Sequence, residues 1–175
     1  MAQWVIDAAH SEIQFKVKHL MISTVTGSFG TFSGSAVTAT DDDFTDAQIS
    51  FTAATASINT GQADRDNHLR SADFFDAEKY PEVTFTSSSM KNTGGSNFEL
   101  TGTLSMHGVS KEITLNAEFL GINKDPWGNT KAGFELSGKI NRKDFGLNWN
   151  AALETGGVLV GEEVKLIANV QLARQ

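Results

Sequence analysis

Cysteine is absent from the 175 residues, so disulfides, thiolate nucleophiles and thiolate metal sites are excluded together. No apolar run approaches the roughly 20 residues of a membrane-spanning helix. Met1-Ala2-Gln3-Trp4 leads straight into a strand pattern, without the charged and apolar regions of an export signal. A soluble, cytoplasmic chain is expected, or a periplasmic one had a leader been removed. Basic residues are also short, 14 against 21 acidic, and the net charge of -7 argues against nucleic acid or an anionic membrane as the main partner.

The motifs of enzyme chemistry are missing too. There is no G-x-S-x-G elbow and no glycine-rich phosphate loop. The four histidines, His10, His19, His68 and His107, show none of the paired spacings of a zinc site, and Asp41-Asp42-Asp43 lacks the glycine and glutamate of a calcium loop. Neither a metal nor a cofactor is expected. The best remaining acid–base pair is Asp66 with His68.

Against two prolines stand sixteen glycines and abundant Ser and Thr, the composition of many strands joined by tight turns. No linker divides the chain, so one domain spans residues 1–175. Ile13, Phe15, Val17 and His19 alternate with charged or amide residues, and the same two-residue period returns at Ala47 to Thr55, Val83 to Ser87, Phe98 to Met106, Val109 to Phe119, Ala132 to Ile140 and Val164 to Leu172. Gly94-Gly95 and His107-Gly108 mark turns, and Gly30 a kink in a long strand from Thr24 to Thr40. Eight or nine long strands without βαβ spacing predict an all-β fold, an antiparallel eight-stranded barrel in preference to a two-sheet sandwich.

A barrel of eight strands is either just filled by its own side chains or holds one small ligand. Small inward residues (Ala47, Ala53, Gly102, Ala117, Ala132, Gly138) are interleaved with phenylalanines, which fits an apolar cavity or rings folded over the small positions. The residues expected to line a channel are Phe15, Val17, Phe29, Phe51, Phe74, Phe85, Phe98, Leu100, Leu115, Phe119, Phe134 and Leu136.

One stretch breaks the alternation. Arg65 to Asp76 gathers ionisable and aromatic residues at helical spacing, and a short helical segment is expected over about residues 60–76, capped by Asn59 or Thr60, with Gln62 completing a box from Asn59. It is either a solvated helix plugging one barrel end or an anion-facing lid. In the second case Arg65, His68 and Arg70 meet a ligand's head group, joined by Arg142 if the cluster Arg142-Lys143-Asp144 lies at the same mouth.

The segments His10-Ser11-Glu12-Ile13-Gln14-Phe15, Gly27-Ser28-Phe29, Arg65-Asp66-Asn67-His68-Leu69-Arg70-Ser71, Asp73-Phe74-Phe75, Gly102-Thr103-Leu104, His107-Gly108-Val109 and Asn141-Arg142-Lys143-Asp144-Phe145-Gly146, in that order, resemble the signature of the YceI-like family of polyisoprenoid-binding, lipocalin-like proteins. The resemblance spans the whole chain. It implies a bacterial lipocalin-like barrel, often a homodimer, that binds, transports or stores a long isoprenoid or fatty lipid without chemistry on it. The other readings of the residues are an enzyme acting on a bound lipid through Asp66 and His68, and a solid-core interaction barrel.

Overall fold

The structure, a computed structural model, describes residues 1–153 and 157–175. Strands β1 (Ala2–Ile6) and β2 (Glu12–His19) form one stave broken by a 3-10 turn at Ala8–His10, and β3 (Ser23–Phe29) and β4 (Phe32–Thr38) form a second, bent at Gly30-Thr31. A third joins β5 (Gln48–Ala54) to the short β6 (Ile58–Asn59). Five continuous strands follow: β7 (Glu82–Gly94), β8 (Asn97–Met106), β9 (Val109–Lys124), β10 (Thr130–Asn141) and β11 (Val160–Arg174).

Each stave pairs antiparallel with the next, and β11 closes the ring against both β1 and β2. The result is the expected eight-stranded closed barrel, a meander in which only the short β6 pairs on one side among the described residues. The first stave's break is held to β11, where the Ser11 hydroxyl accepts from the Gln171 N–H (2.9 Å) and donates to the Asp7 carbonyl (2.7 Å).

The alternation sorts inside from outside as expected. On β8, Phe98, Leu100, Leu104 and Met106 are buried, while outward hydroxyls pair across β8 and β9, Thr101 with Thr114 (3.0 Å) and Ser105 with Ser110 (2.6 Å). Two inward glycines are sites of close approach: a Cβ on Gly102 would strike the Phe85 ring, and one on Gly138 the Leu115 side chain. Large side chains therefore lie flat against the wall, which leaves the barrel axis open.

One end is closed by aromatic packing. Phe44, carried in by the loop after Asp41-Asp42-Asp43, sits 5.1 Å from the Trp4 ring, 5.6 Å from Phe119 and 4.8 Å from Phe134. The Trp4 indole N–H donates to the Thr38 hydroxyl (3.2 Å), so this deeply buried polar atom is satisfied.

Between β6 and β7 lies helix α1 (Ala63–Arg70), shorter than the expected 60–76; turns carry the chain from Ser71 to Tyr80. The expected box is absent. Gln62 is the N-cap without a side-chain bond, because Gly61 (φ 86°) turns the chain between Thr60 and the helix and the Asn59 amide oxygen is taken by the Gly61 N–H (2.8 Å). Asp66 reaches back instead, accepting from the Thr60 N–H (2.8 Å) and hydroxyl (2.6 Å). The excursion leaves and rejoins the wall at one point, where Thr55 donates to the carbonyls of Pro81 (2.9 Å) and Tyr80 (2.9 Å).

Candidate functional site

An apolar cavity of about 370 Å³ runs inside the barrel and reaches the end opposite Phe44's plug, beneath α1 and the turn after β10. Its size falls in the ~300–1,000 Å³ range of small-molecule sites. Ten of the twelve residues expected in a channel line it: Phe15, Val17, Phe29, Phe51, Phe74, Phe85, Leu100, Leu115, Phe134 and Leu136. Phe98 and Phe119 do not. They point inward, but at the closed end, where Phe119 stacks 5.2 Å from Phe134 and Phe98 lies 6.5 Å from the same ring. Periodicity reports the face of a strand, and depth along the barrel axis depends on stagger.

The mouth is framed by aromatics. Leu69, Phe74 and Phe75 face the cavity from α1 and the turn after it, with Phe75 edge-on to Phe29 at 6.0 Å. Trp149, from the segment after β10, meets Phe74 (5.4 Å) and stands edge-on to His68 (4.6 Å, 86°). Leu69 lies in α1 and Phe75 and Trp149 in irregular segments, where no strand period marks a residue as inward. The helical spacing that places Leu69 beside Arg65 and His68 is the one signal available for it.

The two charged clusters do meet at this mouth, because His68 packs on Trp149 and the Trp149 carbonyl accepts from Arg142 (2.9 Å). The arginines differ in what they have left to offer. Arg142 is 4% exposed and donates to the carbonyls of Gly161 (2.8 Å), Leu147 (2.6 Å), Trp149 and Val160 (3.3 Å). Burial lowers its pKa, partly offset by Glu162 nearby. Its guanidinium is occupied by backbone, and it ties Leu147 and Trp149, in the segment after β10, to Val160 and Gly161 at the start of β11.

Arg70 is not among the cavity-lining residues. Its guanidinium donates to the Ala56 (2.9 Å) and Ile58 (3.3 Å) carbonyls and to Asn67 (2.8 Å), which fastens α1 to the wall. Arg65 does border the cavity, held by the Thr60 hydroxyl and carbonyl (2.7 Å each) with no carboxylate on it among the described residues. His68 borders it too, its Nε2 bonded to Asp73 Oδ2 (2.9 Å). The Asp66–His68 pair of the alternative, enzymatic reading is not assembled: Asp66 turns to Thr60, because residues two apart on a helix do not face each other.

No group of three or more His, Asp or Glu side chains with metal-binding geometry occurs among the described residues. No helix among them is long and apolar enough to cross a membrane. The arrangement is an apolar cavity with the polar groups of Arg65 and His68 at its rim.

A closed meander around an apolar cavity with one short helix at its mouth places the chain among lipocalin-like barrels. It belongs to the YceI-like family, whose domain model matches residues 4–172. A UPF0312 protein of Staphylococcus aureus is 39% identical over 174 residues, 99% of this chain and 98% of that one. The crystal structure of a Campylobacter jejuni YceI protein is 38% identical with a TM-score of 0.73, covering 97% of this chain and 96% of that one. A polyisoprenoid-binding domain from Saccharophagus degradans shares the fold at 18% identity, TM-score 0.71, covering 98% of each chain.

Proposed function

We propose that the protein is a non-enzymatic carrier or store for a long apolar lipid, polyisoprenoid or similar, whose chain occupies the barrel and whose head group rests at the mouth. The observation that carries this reading is the apolar cavity of about 370 Å³, open toward α1 and closed at the other end by Phe44, Phe119 and Phe134. A solid-core barrel has no such space. Each buried methylene contributes about 0.8 kcal/mol, so ten carbons supply ~8 kcal/mol before association costs. The name of the Saccharophagus degradans relative, a polyisoprenoid-binding domain, supports the same ligand class.

In this reading Arg65 and His68 meet the head group, while Arg70 and Arg142 hold the mouth in shape. Binding proceeds without chemistry, since the Asp66 carboxylate is engaged by Thr60. The expected homodimer is a separate part of the proposal, checked by light scattering of the purified chain.

Native mass spectrometry of freshly purified protein, followed by organic extraction, tests the carrier. A co-purified lipid, or saturable uptake of a fluorescent polyene, is the expected result. A protein that is empty and takes up no polyene or polyprenyl probe ends this reading.

A further inference from the structure

The hairpin joining β2 to β3 turns on Leu20 and Met21, whose φ angles of 54° and 60° place both in the left-handed region of a type I′ turn. Asn-Gly fills such a turn without strain. Here apolar residues fill it, and Leu20, Met21 and Ile22 are 40%, 61% and 85% exposed. The tip stands at the mouth end: the Leu20 N–H donates to the Leu159 carbonyl (2.8 Å), and both Leu159 and His19 line the cavity.

A second, independent feature lies on the wall leading to this tip. Lys139 on β10 is the cross-strand partner of Lys165 on β11, which is in turn the partner of Lys16 on β2. Like charges directly opposite destabilise a sheet, and a chain of net charge -7 has acidic residues in excess to place there. Lys18 continues the patch along β2 toward the tip, and Lys143 in the turn after β10 adds to it. Among the described residues two acids pair with these five lysines, Glu162 at 2.9 Å from Lys143 and Glu163 at 4.0 Å from Lys139. Lys16, Lys18 and Lys165 have no ion pair among the described residues.

We propose that this end of the barrel docks on an anionic lipid bilayer, with Leu20, Met21 and Ile22 entering the headgroup layer and the lysine flank lying against its charge. An apolar tip beside a basic patch is the combination that binds anionic membrane surfaces, whatever the protein's overall charge. Docked this way the mouth faces the membrane, and a lipid passes between bilayer and cavity without crossing water. That transfer rests on the carrier reading; the docking does not.

Sedimentation of the full chain with vesicles tests it. Binding to phosphatidylglycerol–phosphatidylcholine vesicles is expected, at least about tenfold stronger than to phosphatidylcholine alone and weakened by salt. The triple variant Leu20→Asn, Met21→Gly, Ile22→Thr relieves the turn's strain, so it folds at least as well, yet it loses about tenfold or more in binding. The pair Lys16→Glu, Lys165→Glu leaves the tip intact and loses about twentyfold or more, from roughly fivefold per lysine. Absence of binding to anionic vesicles, or wild-type binding by either variant, overturns the proposal. Polyene uptake from ethanol is read in parallel and stays at the wild-type level in both variants. A wild type that binds vesicles but takes up no probe leaves the docking standing and removes the carrier.

Discussion

The two ends of the barrel are closed by different forces. At the Phe44 end, four rings and the Trp4 indole pack against one another, and the indole N–H donates to the Thr38 hydroxyl. At the mouth, closure comes from directional bonds: Arg142 on four carbonyls, Arg70 on two, Asp66 on Thr60, and His68 on Asp73 beneath a bracket of aromatic rings. Apolar packing is non-directional and is lost whenever the surfaces part, so the aromatic end makes a permanent floor. The hydrogen bonds of the outer mouth, Arg70 and His68 with their partners, exchange with water at small net cost, whereas those of the buried Arg142 do not.

Four experiments press on this contrast. The largest effect is expected at the floor: Phe44→Ala removes a buried ring and costs about 3–5 kcal/mol in urea unfolding, with the rate of ligand release through the mouth unchanged. Faster release in that variant would mean that the floor is also a gate. Arg142→Met comes next, at about 3 kcal/mol, since four carbonyls lose a charged donor. It should also speed ligand loss, because Leu147 and Trp149 are no longer held to the start of β11; normal retention would separate Trp149 from the gate.

Third is an acid limb that belongs to the wall of the closed half. Asp7 is bonded to Lys131 Nζ (2.7 Å) and His10 Nδ1 (2.8 Å), which lower its pKa from 3.8 to about 2. A depressed carboxylate stabilises the fold above its ordinary pKa, and that contribution disappears as pH falls from about 4 toward 2. Asp7→Asn should therefore lose on the order of 1–2 kcal/mol at neutral pH, screened by the 19% exposure of both side chains, and show a flatter stability profile below pH 4. Parallel acid profiles for the two proteins would show that the pair contributes nothing.

The smallest stability effect is expected at the mouth. His68→Ala removes a partly exposed ring and should change unfolding by less than about 1 kcal/mol, while release of a bound polyene accelerates several-fold. Unchanged release kinetics would take His68 out of the lid.

Much of the wall was legible from residue order. Ten of the twelve expected channel residues line the cavity, most of them, such as Phe15, Val17 and Leu115, marked by the period of two, and Gly94-Gly95 and His107-Gly108 turn where expected. The two misplaced rings, Phe98 and Phe119, share the face but not the depth. The mouth was less legible. Arg65, His68, Arg70 and Arg142 look alike as charged residues between strands, yet Arg142 is fully engaged by backbone 5 to 19 residues away and Arg70 by carbonyls 12 and 14 residues back. No local pattern encodes such partners.

The sequence by itself determined which strand residues face inward and that the fold is an all-β antiparallel one of eight or nine strands, because strand alternation is a backbone property with a period of two residues. The tertiary structure alone decided which inward rings form a floor and which line a cavity, which guanidinium remains available to a ligand, and that Lys139, Lys165 and Lys16 stand side by side in a chain of net negative charge. Those outcomes depend on stagger and on contacts between residues far apart in the chain, and only closure of the barrel brings such residues together.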